Sequence, residues 1–167
     1  MIENLDQNQI IFITFAMIVS AVPVGFMAGL FGIGGGLITV PVLFYIFNSV
    51  GFDQTFIMHL AIGTSFAIII PTSVSSVVTH MKYKAVDFNV VKTFGVFVIL
   101  GVIFGTLFAS NLKTSGLILF FSIMTMIFSL FFLISKEKTN PVKREINFLI
   151  KFLSGFTSGF LSAPMGI

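Results

Sequence analysis

Between Asp6 and Asp53 the chain runs for 46 residues without a charged side chain, and further uncharged runs of 20 and 22 residues separate Lys92 from Lys113 and Lys113 from Lys136. About 20 apolar residues carry a helix across the hydrocarbon of a bilayer, so the first run has length for two helical segments. Composition agrees. Of the 167 residues 56% are hydrophobic and only 9% charged, with a mean hydropathy of +1.10, whereas a soluble domain carries about a quarter charged residues. The stretches 94–108 and 118–134 are apolar on every side rather than alternating, which suits helices, because each helix satisfies its own backbone in lipid. The expected fold is therefore all-α: a polytopic transmembrane helical protein with segments near 10–31, 37–48, 59–79, 90–110, 116–134 and 146–165. Its surroundings are the lipid bilayer of a cell membrane, the inner membrane in a Gram-negative bacterium.

The formal charge is +3, but its distribution speaks for orientation in the bilayer rather than for nucleic acid, which is not expected as a partner. Eight of the nine basic residues lie in or beside two gaps, Lys82, Lys84 and Lys92 at the first and Lys136, Lys138, Lys143, Arg144 and Lys151 at the second. Two spans separate those gaps, so both lie on one face, and the positive-inside rule makes that face cytoplasmic. The gaps holding Asp53 and Lys113 are then external. The amino terminus carries Glu3 and Asp6 and no basic residue before the first apolar run, unlike a cleavable signal peptide, so a retained span from Ile10 onward is expected. Residues 10–48 read best as a hairpin. The chain has no cysteine, which excludes disulfides, thiol nucleophiles and thiolate metal sites.

The chain also repeats itself. Gly25-Phe26-Met27-Ala28-Gly29 recurs as Gly155-Phe156-Thr157-Ser158-Gly159, and Gly32-Ile33 recurs as Gly166-Ile167 with four more intervening residues, about one helical turn. Residues 1–145 thus read as a first transmembrane repeat of about five segments, and 146–167 as the start of a second, truncated one. An odd number of segments inverts the second copy, the arrangement in which many membrane transporters bind substrate where the copies meet. Convergence is the competing reading, since Gly and Phe are common in membrane helices.

The sharpest local feature is Gly32-Ile33-Gly34-Gly35-Gly36, followed by Leu37-Ile38-Thr39-Val40-Pro41. Each glycine costs a helix about 1 kcal/mol relative to alanine, so the helix should break here. Non-helical backbone at membrane depth is tolerated only when buried in protein or lining a watery cavity. Residues 37–48 would reach only about 18 Å, short of the roughly 30 Å of hydrocarbon, which places the break within the membrane. Without a Cβ the backbone can be approached closely, and the helix starting after the turn aims its unpaired N–H groups and positive dipole end into that space. A small anion is the natural guest. The competing reading, close helix crossing, fits Gly25/Gly29 and Gly101/Gly105 at four-residue spacing better. No Lys-Ser/Thr pair follows the glycines, so a phosphate-binding P-loop is not expected.

The third segment is rich in hydroxyls: Ser65, Thr72, Ser76 and Thr79 share one helical face, with Thr64, Ser73 and Ser75 nearby. They could replace water around a passing solute, or pack helices and support the backbone around Pro71. His80, Lys82, Lys84 and Asp87 at its cytoplasmic end read as topology determinants, and His59 as an interfacial residue without metal-ligand neighbours. No Asp, Glu, Lys or Arg falls in mid-span, so no carboxylate proton relay is visible. No nucleophile elbow or zinc-binding helix is present, and neither catalysis, a cofactor nor a metal is expected.

The segment from Gly25 through Gly29, Gly32, Gly34 and Gly36 to Pro41 resembles the signature of the sulfite exporter TauE/SafE family of membrane transporters, also called the toluene sulfonate uptake permease family. Ala61-Ile62-Gly63-Thr64-Ser65 and the loop His80-Met81-Lys82-Tyr83-Lys84-Ala85-Val86-Asp87 match it in the expected order. The resemblance implies a duplicated, multi-pass carrier of sulfite, sulfonates or similar sulfur oxyanions, working by alternating access. The candidate solute-binding residues are Gly32, Gly34, Gly35, Gly36, Thr39 and Pro41 from the glycine segment and Thr64, Ser65 and Thr72 from the third segment. The chain resembles a first half, which a second half-transporter chain, or a second copy of itself, would complete. The alternative is a non-transporting truncated fragment or assembly subunit of a membrane complex.

Overall fold

The computed structural model describes residues 6–31, 35–134 and 147–167. Among them are six α-helices and no strand: α1 (Gln7–Phe31), α2 (Gly36–Val50), α3 (Ile57–Lys82), α4 (Phe88–Ser110), α5 (Thr114–Ile134) and α6 (Phe148–Met165). Each matches one expected segment, with ends displaced by three residues at most. The second basic gap, 136–144, lies outside the described residues. Helices α1, α3, α4 and α5 are long and apolar enough to cross a membrane. Helix α2, with 15 residues, reaches only about 22 Å. Helix α6, which carries Lys151, falls outside that set.

The chain forms two compact units, 1–79 with 165–167, and 80–164. In the first, α1 touches α2, with Ile13, Met17 and Val24 half-buried while Phe15, Val22, Phe26 and Leu30 remain exposed. The core is made by Val40, Leu43, Ile46 and Phe47 of α2, by Ile57, Met58, Ala61 and Ile62 of α3, and by Met165. Steps of three and four residues put each set on one helical face. Helix α2 stops at Gly51, whose φ of +84° is the left-handed conformation that glycine adopts without strain. The Gly51 amide donates to the Asn48 carbonyl at 3.1 Å and the Phe52 amide to the Phe47 carbonyl at 3.1 Å. The Phe47 and Phe52 rings meet at 5.2 Å, the apolar contact that usually accompanies this ending. In the loop that follows, the Thr55 amide donates to the Asp53 carboxylate at 2.8 Å and holds its pKa below the ordinary value.

In the second unit, α4 and α6 cross on glycines. A Cβ on Gly101 would strike the Phe156 carbonyl, one on Gly105 the Phe160 carbonyl, and one on Gly159 the Val98 carbonyl. Gly155 sits over Phe97. This is the small-residue crossing that lets membrane helices approach backbone to backbone. Phenylalanines flank it: Phe148, Phe152, Phe156 and Phe160 recur every fourth residue along α6. Phe97 meets Phe148 and Phe152 at 5.5 and 5.3 Å, Phe104 meets Phe156 at 5.8 Å, and Phe108 meets Phe160 at 5.4 Å. The expected crossing role of Gly101/Gly105 is thus realised. That of Gly25/Gly29 is not met among the described residues, where nothing lies within 4 Å of a Cβ placed on either.

The turn between α3 and α4 is built by its own charged residues. Lys84 closes α3 at φ +54°, and Asp87 caps α4 by accepting from the Asn89 and Val90 amides at 2.9 and 3.4 Å. Replacing Asp87 by alanine should cost about 1 kcal/mol, measurable as a lowered unfolding midpoint in bicelles, while Asp87→Asn should retain most of that stability.

Candidate functional site

The helix break expected in the glycine segment is present, with α1 ending at Phe31, Gly35 in a turn and α2 beginning at Gly36. Gly32 and Gly34 lie outside the described residues. Gly35 stands at the N-cap of α2, with φ −64° and ψ −29° and no side chain to cap the helix. The Ile38 and Thr39 amides donate to the Gly35 carbonyl at 3.2 and 2.9 Å. The amides of Gly35, Gly36 and Leu37 therefore precede the first intrahelical bonds and have no acceptor within α2.

The two adjacent glycines differ sharply in surroundings. Among the described residues, a Cβ on Gly35 would meet only the Thr39 hydroxyl, at 3.5 Å, an ordinary contact. Around Gly36, which is buried, a Cβ would strike the Gly166 carbonyl, lying 2.7 Å from its carbon and 2.8 Å from Ile167 Cγ1. Gly36 is therefore a packing glycine and Gly35 an open one. Gly166 has φ +66°, a conformation for which glycine is suited, and its carbonyl accepts a 2.8 Å hydrogen bond from the fully buried Ser65 hydroxyl. Gly36, Ser65 and Gly166 thus form one cluster in the first unit, with Val40 packed against Gly166. It joins the first glycine segment to the Gly166-Ile167 pair that the sequence comparison matched with Gly32-Ile33.

The remaining expected residues are placed as follows. The Thr39 hydroxyl donates to the Gly35 carbonyl at 2.8 Å, Thr64 to Leu60 at 2.8 Å, and the exposed Thr72 to Ile68 and Ile69 at 3.1 and 3.0 Å. Pro41 is exposed within α2 and, lacking an N–H, leaves the Leu37 carbonyl without its usual helical donor. Each hydroxyl already gives its hydrogen to a carbonyl, and an anion needs donors. The donor groups of this segment with no partner inside α2 are its first-turn amides, at the positive end of the helix dipole. Sequence reasoning missed the bond from Ser65 to Gly166, whose partners are 101 positions apart.

The model of the family described as sulfite exporter TauE/SafE matches residues 17–167. The chain is 31% identical over 156 residues to a protein of Haemophilus influenzae named a probable membrane transporter protein, covering 93% of this chain and 59% of that one. It is 28% identical over 128 residues to YunE of Bacillus subtilis, which has the same description, covering 77% of this chain and 46% of that one. A Methanocaldococcus jannaschii protein, again named a probable membrane transporter, is 30% identical over 96 residues, 58% of this chain and 35% of its own length. The chain therefore spans about half the length of the curated relatives it matches. No solved structure matches it. A multi-pass set of apolar helices broken at Gly35, matched by that model over nearly all its residues, belongs to the sulfite exporter TauE/SafE family of membrane transporters.

Proposed function

We propose that this chain carries part or all of a site through which a small anion, of the sulfur oxyanion or organosulfonate class, crosses the membrane by alternating access. The observation that supports this most is the room at Gly35, where among the described residues a Cβ would make only an ordinary contact with Thr39, beside an uncapped helix start and next to a Gly36 that is tightly packed. Helix α2 is too short to span, so its N-terminus stands at membrane depth. There the first-turn amides act in a low dielectric, and the dipole contributes about 0.3–1 kcal/mol, rising to ~2 when partly buried. Such modest binding suits a site that must also release its ligand.

The substrate class is carried over from the family description; the sulfur oxyanions fit the geometry because they present several acceptor oxygens to converging amides. The remaining length present in the relatives would supply the second repeat, with the two copies moving about the site. The test is sulfite and sulfonate flux into liposomes holding this chain joined to the downstream part of the Haemophilus influenzae relative. Gly35→Leu should reduce flux by about tenfold or more with the unfolding midpoint unchanged, because the side chain enters the anion's space and not the core. Thr64→Val and Thr72→Val should retain most of the flux, since their hydroxyl hydrogens already serve the helix backbone. Equal flux for Gly35→Leu and the parent would overturn the assignment. Absence of flux in any combination would favour the second reading, a non-transporting assembly subunit.

A further inference from the structure

Helices α1 and α6 carry matching glycine faces, and among the described residues only that of α6 is covered. In α6, Gly155 and Gly159 receive the backbone of α4, and Phe156 between them lies 5.8 Å from Phe104. In α1 the matching residues are Gly25, Gly29 and Phe26. Among the described residues nothing lies within 4 Å of a Cβ on either glycine, and Phe26 is 69% exposed. The match extends one turn each way. Phe152 and Phe160 pack on Phe97 and Phe108 of α4, while their counterparts Val22 and Leu30 are exposed. A helix that faces only lipid has no use for a notch without side chains, because lipid tails conform to any apolar surface. A notch flanked by a ridge of large side chains fits another helix.

We propose that the face of α1 bearing Val22, Gly25, Phe26, Gly29 and Leu30 docks a glycine-notched helix of a second repeat, the counterpart of α4. The inference rests on the internal repeat, not on the identity of the transported anion. If the two repeats are related by a two-fold, one contact implies its mirror. The first helix of the second repeat sits on the fourth of the first, so the first helix of the first repeat sits on the fourth of the second. The relatives have the length to provide that helix, since this chain covers 59% and 46% of two of them. A second copy of this chain does not fit the role, because its own α6 already fills the Gly101/Gly105 notch of α4.

The absence of cysteine makes disulfide mapping direct. In this chain joined to the downstream part of the Haemophilus influenzae relative, with that part's cysteines replaced, Val22→Cys and Phe26→Cys are paired with single cysteines placed along each downstream helix. The expected result is cross-linking within one chain to positions recurring every three or four residues on a single helix. Adding Gly25→Leu and Gly29→Leu should lower its yield by about tenfold or more, while Ile10→Leu, exposed on another side of the helix, leaves it unchanged. Cross-links formed only between two molecules would make a second copy the occupant and overturn the proposal. Cross-linking at no position above random collision would leave the face to lipid and equally overturn it. Neither readout depends on flux, so failure here is distinguishable from failure of the anion assignment.

Discussion

Gly36→Ala is expected to destabilise the protein by about 2–5 kcal/mol, while the neighbouring Gly35→Ala stays within about 1 kcal/mol of the parent. Both substitutions add one methyl group at the start of the same helix, so differences in helix propensity largely cancel. What differs is the neighbour: the Thr39 hydroxyl at 3.5 Å for Gly35, the backbone of Gly166 for Gly36. A side chain can rotate away, but a carbonyl at the end of α6 moves only with its helix. Retreat of Gly166 would also break the 2.8 Å bond from Ser65, leaving a buried carbonyl and a buried hydroxyl unpaired at about 1–3 kcal/mol each. Ser65→Ala should therefore be destabilising alone and nearly silent on top of Gly36→Ala, because the first change has already removed the bond. Reversible unfolding in bicelles, followed by circular dichroism, measures all four states of this cycle. Equal stability of Gly35→Ala and Gly36→Ala would refute the close approach of Gly36 to Gly166.

That contrast marks where sequence reading reaches its limit. The six helices were legible because charge and turn residues bracket each apolar run, and a charged residue is costly within lipid wherever the helix packs. The break before α2 was legible because several successive glycines penalise helix locally. Which glycine is filled and which is open was not, since it depends on Gly166, 130 positions beyond Gly36. For the same reason Ser65 reads from sequence as one hydroxyl on a face with Thr72, Ser76 and Thr79, yet of these only Ser65 is buried, and its bond is to a distant carbonyl. The charged loop 80–87 reads as a topology signal, and the capping by Asp87 is a local pattern that the spacing to Asn89 and Val90 could have disclosed. The four-residue phenylalanine spacing on α6 is present in the sequence but went unread. Its meaning emerges only when Phe97, Phe104 and Phe108 of α4 stand opposite.

The α4–α6 crossing carries the other large effect. Gly101→Ala is expected to cost about 1–3 kcal/mol or more, whereas Gly95→Ala, six residues earlier in the same helix, should be neutral or stabilising by up to about 1 kcal/mol. No described residue lies within 4 Å of a Cβ on Gly95, but one on Gly101 meets the Phe156 carbonyl and stands 2.8 Å from the Phe160 amide nitrogen. In lipid no hydrophobic force draws the helices together, so van der Waals contact between the backbones and the flanking rings does most of the work. Pushing the helices apart to admit a methyl group therefore weakens the ring contacts of Phe104 with Phe156 and of Phe108 with Phe160 together, since each contact falls off over a fraction of an ångström. Gly159→Ala strikes α4 from the opposite side, at the Val98 carbonyl. Because either substitution separates the same pair of helices, the double variant should cost clearly less than the sum of the two single ones. Strict additivity, or a Gly101→Ala protein as stable as Gly95→Ala, would mean that α4 and α6 do not meet on their glycines.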